Sequence, residues 1–198
     1  MTSLVYRSAG GYELLMRVLY GRHYGDRLAV VAAQVPDGAS VVECCCGPGT
    51  LYRRHLRGRV ASYVGLDVND GFVARLRSEG VDARRLDLAG DAALPDADVV
   101  LMQASLYHFL PQPERILERM LAAARDRVII SEPIRNLASS RVPGVALIGR
   151  RAADPGVGGH ANRLDEAALD RLMRDYDQLA AFTIPGGREK VFVLRPSR

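Results

Sequence analysis

A glycine turn that follows an apolar run is the feature of this chain with the clearest chemical meaning. Residues 41–50 read VVECCCGPGT, so a predicted buried strand ends in a Gly-x-Gly turn and leads directly into a predicted helix. Glycine has no side chain, so the backbone at Gly47 and Gly49 can approach a ligand closely. The turn therefore predicts a ligand-binding site at the end of this strand.

A carboxylate stands at the end of the next predicted strand. Residues 63–66 form a second apolar run, and Asp67 follows it, 18 residues after Gly49. A carboxylate in this position can accept hydrogen bonds from the two hydroxyl groups of a ribose. The turn and Asp67 together indicate a nucleoside-containing ligand at the carboxyl-terminal edge of a parallel sheet.

Alternating strands and helices are predicted to position these residues. Apolar periodicity indicates helix over 11–35, interrupted at Gly21 and Gly25, and Asp70 is the predicted N-cap of a later helix. A full crossover helix barely fits between the third and fourth strands, so we expect a short or irregular one there. The predicted strands are 41–45, 61–66, 81–86, 98–102, 127–131, 178–184 and 190–194, and the predicted helices after the first strand are 50–56, 71–78, 113–124 and one from 162 or 165 to about 176.

The alternation predicts an α/β fold, a doubly wound, mostly parallel seven-stranded sheet with an antiparallel C-terminal strand. The turn at 185–187 predicts the hairpin that reverses this last strand. We expect one domain over residues 1–198, with 1–38 as an N-terminal helical cap and 39–198 as the ligand-binding core. Ligands of such sheets bind outside the carboxyl ends of the strands.

Composition restricts the class of protein. The chain has 198 residues, 25% of them charged, and a net charge of +4, which is too small a positive charge to indicate nucleic-acid binding. All three cysteines lie at 44–46, so we expect small buried side chains in a reducing compartment, with neither a disulfide nor a metal site. Neither a signal peptide nor an apolar run of membrane-spanning length is visible, so we expect a cytoplasmic protein without a membrane anchor.

The set of motifs resembles the class I methyltransferases that use S-adenosylmethionine. Residues 43–49 resemble the family's first motif, acidic-x-x-x-Gly-x-Gly, and the likeness extends over about 38–195. It implies a Rossmann-like methyltransferase fold, with Asp67 on the ribose, Asp87 and Leu88 at the adenine, and Gln103 near the methionine end. The residues that the resemblance assigns to S-adenosylmethionine are Glu43, Gly47, Pro48, Gly49, Asp67, Val68, Asp87, Leu88, Gln103 and Ala104.

Glu43 also has a physical argument of its own. A carboxylate inside a buried strand is costly unless it has a partner. This favours a position near the ammonium group of the cofactor, which the family usually reaches through a water molecule.

The acceptor half of the site has weaker signals. The resemblance implies methyl transfer to oxygen or nitrogen of a small molecule, and a hydroxyl acceptor gains from a general base. His108 follows the fourth predicted strand, where the family faces the methyl group and the acceptor, so it is the candidate base. The candidate substrate contacts are Tyr6, Tyr12, Tyr107 and His160.

Three other functions stay open at this point. A nicotinamide-dependent dehydrogenase would have a third glycine where Tyr52 stands. An RNA methyltransferase could use Arg53 and Arg57 to contact phosphates, but no aromatic residues interleave with them and the Asn/Asp-Pro-Pro-aromatic tetrapeptide is absent after the fourth strand. A catalytically silent partner or regulatory protein could bind the same cofactor. The oligomeric state has no signal in the sequence.

Overall fold

In a computed structural model, which describes residues 24–134 and 164–196, apolar runs form strands and amphipathic runs form helices. A π-helical segment at Tyr52–Leu56 and a 3-10 helix at Leu106–Phe109 supplement them. The strands are β1 Ser40–Cys44, β2 Ser62–Asp67, β3 Ala83–Arg85, β4 Ala97–Gln103, β5 Ala124–Pro133, β6 Gln178–Thr183 and β7 Glu189–Leu194, and the helices are α1 Tyr24–Ala32, α2 Asp70–Ser78, α3 Glu114–Ala123 and α4 Glu166–Met173.

The seven strands form one sheet in the order β3-β2-β1-β4-β5-β7-β6. The first five strands pair in parallel, whereas β7 runs antiparallel to both of its neighbours. Strand order reverses between β1 and β4, which makes the carboxyl ends of these two strands the topological switch point. The predicted fold class is confirmed, including the reversed last strand.

Each face of the sheet packs against helices. On one face, Val41 and Ile129 join side chains of α1 and α2 in a buried cluster. On the other face, Val42 and Val128 join side chains of α3 and α4. Strands covered on both sides need apolar residues at successive positions, which explains the near-continuous apolar runs of β1 and β4. Within the described ranges, none of the helices combines the length and apolarity needed to cross a bilayer.

Two details of the predicted elements are wrong. Asn69, not Asp70, caps α2, because the Asn69 side chain accepts hydrogen bonds from the backbone N–H groups of Gly71 (2.9 Å) and Phe72 (3.2 Å). Gly25 does not interrupt a helix but lies in the first turn of α1. The predictions for 1–23 and 135–163 lie outside the described residues.

Candidate cofactor-binding site

The turn after β1 brings three residues into the left-handed backbone region. Cys45 has φ 55°, Gly47 has φ 54° and Gly49 has φ 68°. A Cβ added to Gly47 would meet no atom within 4 Å, whereas one added to Gly49 would lie 2.6 Å from Cδ2 of Leu76. Gly49 therefore lets the turn pack on α2, while Gly47 leaves open space above the end of β1.

Asp67 fastens this turn to the neighbouring strand. Its Oδ2 accepts a hydrogen bond from the Gly47 N–H at 2.8 Å, and its Oδ1 accepts one from the Asn69 N–H at 2.8 Å. Burial raises the pKa of Asp67, and the backbone N–H groups oppose that rise. Each carboxylate oxygen has two lone pairs, so the group can still accept hydrogen bonds from ligand hydroxyls.

Glu43 is a buried carboxyl group in β1 with a partner that the sequence did not indicate. The hydroxyl of Tyr63, in β2, donates a hydrogen bond to its Oε2 at 2.6 Å. Burial raises the pKa of Glu43 to about 7, although the hydrogen bond from Tyr63 lowers it. The Tyr63 ring is fixed by stacking on Tyr52, with ring centroids 4.1 Å apart. The proximity of Glu43 to an ammonium group stays a prediction.

A cavity of about 60 Å³ lies between α1, the glycine turn and the end of β4. Glu43, Gly47 and Pro48 line it, as do Arg27 and Gln103. The Nε2 atom of Gln103 is buried and has no hydrogen-bond partner among the described residues. A buried donor without an acceptor is costly, so this amide is suited to a polar ligand group.

The segment after β4 is held in place by a third buried carboxylate, that of Glu132. Glu132, near the end of β5, accepts hydrogen bonds on Oε1 from the N–H groups of Ser105 (2.6 Å) and Leu106 (2.7 Å). Ala104, between Gln103 and Ser105, has φ 49°. Glu132 was not among the predicted site residues, although an acidic residue just after the apolar run 127–131 is the same kind of signal that identified Asp67.

The residues predicted to contact adenine lie next to Asp67. The N–H of Leu86 donates to the Asp67 carbonyl at 3.0 Å, which joins the ends of β2 and β3. Asp87 is exposed, and its Oδ1 accepts a hydrogen bond from the Ala89 N–H at 2.9 Å. Val68 exposes 56% of its surface, an apolar group beside the ribose-binding candidate, whereas the Leu88 side chain points into the core. Leu88 could therefore contact a ligand only through its backbone.

His108 and Tyr107 lie on the 3-10 helix that follows β4. His108 is exposed, and its ring centroid lies 4.0 Å from that of Tyr107. The backbone N–H of His108 donates to the Ser105 carbonyl, which ties this helix to the segment that Glu132 holds. The catalytic role of His108 stays a prediction. Tyr6, Tyr12 and His160 lie outside the described residues.

The three cysteines lie at the end of β1 and in the turn that follows it. Cys44 and Cys46 are buried and Cys45 is half-buried, and all three are free thiols. Burial raises the pKa of Cys44 to about 12 and raises the pKa of the other two thiols as well. The thiols are therefore protonated at neutral pH, and the prediction of small buried side chains is confirmed for Cys44 and Cys46.

This geometry defines a class of protein. The strand order is that of a Rossmann-like fold, with a glycine turn at the switch point and a carboxylate that joins this turn to β2. Folds of this class bind nucleotide ligands at the switch point.

The chain is similar to known methyltransferases. Residues 42–130 match the family described as "Methyltransferase domain". Trans-aconitate 2-methyltransferase from Mycolicibacterium gilvum is 37% identical over 106 residues, which are 53% of this chain and 40% of that protein. The match thus spans about two fifths of the relative's length.

Two solved structures share the fold. A TehB-like SAM-dependent methyltransferase from Corynebacterium glutamicum superposes with a TM-score of 0.63 at 15% identity, covering 97% of this chain and 98% of that one. A magnesium protoporphyrin IX methyltransferase from Synechocystis, solved with bound SAH, gives 0.62 at 16% identity, covering 96% of each chain. Residues 42–130 therefore carry a methyltransferase domain, and the fold around them is the one that these S-adenosylmethionine-dependent enzymes share. The domain and the neighbour with bound SAH imply S-adenosylmethionine as the cofactor.

Proposed function

We propose that this chain transfers the methyl group of S-adenosylmethionine to an oxygen or nitrogen atom of a small-molecule acceptor. The observation that carries the proposal is the hydrogen bond between Asp67 and the Gly47 N–H. It joins the carboxyl ends of β1 and β2 into one surface, with open space above Gly47. A nucleoside can lie on such a surface with its ribose against the carboxylate.

Different residues of the site bind different parts of the cofactor. Asp67 accepts the ribose hydroxyls, Val68 covers one face of the adenine, and Asp87 accepts from its amino group. Glu43 and Gln103 lie at the opposite end of the site, where they face the amino-acid end of the cofactor. The cofactor supplies a methyl group already activated on a sulfonium, so the protein has to align the acceptor and exclude water rather than provide a nucleophile.

A small-molecule acceptor is supported by two observations. The curated relatives that match the chain carry the name trans-aconitate 2-methyltransferase. The net charge of the chain is only +4, and Arg53, one of the two arginines considered for phosphate contact, is paired with Glu79 at 3.2 Å. For a hydroxyl acceptor we propose His108 as the general base, because it is exposed on the helix that follows β4.

Binding of the product S-adenosylhomocysteine tests the cofactor half of the proposal. Asp67→Asn keeps the size of the side chain but removes its charge, so the affinity measured by titration calorimetry should fall about 10- to 150-fold, the value of one or two charge-assisted hydrogen bonds. The matched control is Asp98→Asn. Asp98 also accepts from a backbone N–H, that of Ser40 at 2.8 Å, but it lies at the other end of the sheet. Equal affinities of all three proteins, or no binding to the wild type, would contradict the proposal.

Turnover tests the acceptor half. We expect transfer of a labelled methyl group to a member of a panel of small carboxylic acids, phenols and amines that includes trans-aconitate. If the acceptor is a hydroxyl compound, His108→Ala should lower kcat and leave the affinity for S-adenosylhomocysteine unchanged. Labelling of RNA with none of the small molecules would overturn the proposed acceptor class.

A further inference from the structure

Two glutamates are buried where β5 and β7 pair, and neither has a part in the proposed binding roles. Glu189, in β7, accepts a hydrogen bond from Nε of Arg27 at 2.7 Å and so connects α1 to the sheet. Glu132, near the end of β5, exposes only 1% of its surface. Its Oε1 accepts hydrogen bonds from two successive N–H groups, those of Ser105 at 2.6 Å and Leu106 at 2.7 Å. A buried carboxylate is costly without such partners, so this contact fixes the chain where it leaves β4.

The post-β4 segment, residues 103–108, has a backbone shape that depends on this contact. Ala104 has φ 49°, in the left-handed region that residues with a Cβ rarely adopt. Hydrogen bonds hold it from both sides, because its own N–H donates to the Ser131 carbonyl at 2.7 Å and the next two N–H groups donate to Glu132. The left-handed residue turns the chain out of β4 into the 3-10 helix Leu106–Phe109. Glu132 therefore helps to set the direction in which this helix leaves the sheet.

The post-β4 segment connects the two halves of the proposed site. Gln103 and Ser105 line the cavity beside Gly47, on the cofactor side. Tyr107 and His108 follow on the 3-10 helix, on the proposed acceptor side, with their ring centroids 4.0 Å apart. A shift of this segment would therefore move one half of the site relative to the other, without changing any side chain that binds a ligand.

We propose that Glu132 is a positioning residue for methyl transfer, which holds the post-β4 segment so that the acceptor and the bound cofactor meet in a reactive alignment. Glu132 acts through the backbone of Ser105 and Leu106 and touches neither ligand. This inference rests on the proposed function, because it takes His108 to face the methyl acceptor. Methyl transfer is sensitive to such positioning, since a misplacement of about 1 Å can lower a rate about 100-fold.

Two substitutions of Glu132 grade the strength of the contact. Glu132→Gln keeps the size of the side chain and a carbonyl oxygen that accepts hydrogen bonds more weakly than a carboxylate does. Glu132→Met has a similar length and no oxygen. With the acceptor that the panel of small molecules identifies, the single-turnover rate should fall about 100-fold in Glu132→Met and by a smaller factor in Glu132→Gln. The affinity for S-adenosylhomocysteine should change less than about threefold in both variants.

A measurement on the free protein tests the positioning without any reaction. In an assigned NMR spectrum, the ring signals of Tyr107 and His108 should shift in Glu132→Met and shift less in Glu132→Gln. The imidazole signals of His55, on the π-helical segment after the glycine turn, should stay in place. If Glu132 served stability alone, its variants would unfold at a lower temperature, but the ring signals and the rate of the folded protein would not change.

Asp165→Asn is the matched control for the loss of charge. Asp165 also accepts a hydrogen bond from a backbone N–H at the start of a helix, that of Ala168 in α4 at 2.7 Å. It lies outside the proposed site, so this variant should keep the wild-type rate, affinity and ring signals.

The two measurements decide the proposal together. An unchanged rate in Glu132→Met, unchanged signals of His108, or a loss of rate matched by an equal loss of S-adenosylhomocysteine affinity would each overturn it. If Glu132→Met does not fold, Glu132→Gln is judged by the same criteria. A wild-type protein that neither binds S-adenosylhomocysteine nor methylates any small molecule would contradict the proposed function itself, which is a different result.

Discussion

At the scale of single residues, the buried carboxyl group of Glu43 links the stability of the fold to pH. Its carboxyl group is buried, and that burial raises its pKa to about 7 from an ordinary value of 4.5. In the free protein the unfolded state therefore releases this proton more readily than the folded state, so stability decreases as the pH rises from about 4.5 towards 7. A bound ammonium group would supply the missing positive charge and favour the ionised carboxylate.

This linkage predicts the pH dependence of binding. The affinity for S-adenosylhomocysteine should increase up to about tenfold per pH unit below the pKa and level off above it, because only ionised Glu43 pairs with the ammonium. Tyr63→Phe removes the hydrogen bond that lowers this pKa, so the midpoint should move to higher pH. Calorimetry between pH 5.5 and 7.5 measures the midpoint. Tyr52→Phe, which keeps the stacked ring, is the control, and an identical midpoint in the Tyr63 variant would contradict the account.

The sequence identifies residues that belong to a local pattern. Glu43, Gly47 and Gly49 lie within seven positions, and Asp67 ends the next apolar run, so strand order alone places them together. Arg27 and Glu189 are 162 positions apart, and nothing in either neighbourhood marks them as partners. Their pairing depends on α1 packing across the sheet beside β7, which only the tertiary structure determines.

At the scale of elements, the connection from β3 to β4 is the part of the site that lacks regular structure. The spacing predicted a short or irregular crossover helix there, and this prediction is wrong, because the chain between Arg85 and Ala97 forms neither helix nor strand. Arg119, in α3, holds this irregular connection in place. Its Nη1 donates to the carbonyls of Leu88 and Gly90, both at 2.7 Å, and its Nη2 donates to the carbonyl of Ala92. One guanidinium thus holds the loop that carries Asp87.

Loss of this support should weaken binding at the adenine end. Arg119→Met is expected to reduce the affinity for 5′-methylthioadenosine about tenfold or more, because three carbonyl groups lose their donor and the loop becomes free to move. Calorimetry measures the effect. The control is Arg115→Met, one turn earlier in α3, since its ion pair with Asp91 is exposed and contributes little.

A double-mutant cycle distinguishes positioning from general damage. If Arg119 acts by placing Asp87, then Arg119→Met should cost little further affinity in a protein that already carries Asp87→Ala. Fully additive losses would mean that the two residues support binding independently.

At the scale of the whole molecule, the site joins elements from most of the described chain. The cavity brings together α1, the turn after β1 and the end of β4, while Glu189 in β7 holds Arg27 in place. Side chains of α1, including Leu28 and Val31, lie in the same buried cluster as Val41 and Ile129 of the sheet. The apolar runs were enough to predict the seven strands and which of them run parallel, because each run is a local feature of the sequence. The packing of α1 into the sheet was not predictable, since the sequence indicated only a cap.

This packing predicts that α1 and the sheet unfold together, as expected of one domain. Thermal unfolding followed by circular dichroism should show a single transition, because separating α1 would expose Leu28 and Val31 and leave Arg27 without Glu189. A ligand at 100 times its Kd adds about 2.7 kcal/mol of stability, which for a domain of this size raises Tm by about 5–10 °C. S-adenosylhomocysteine should therefore shift the whole transition, and Asp67→Asn should require proportionally more ligand for the same shift. Two transitions, of which the ligand moves only one, would show instead that α1 is a separate unit and that the cavity is not shared between it and the sheet.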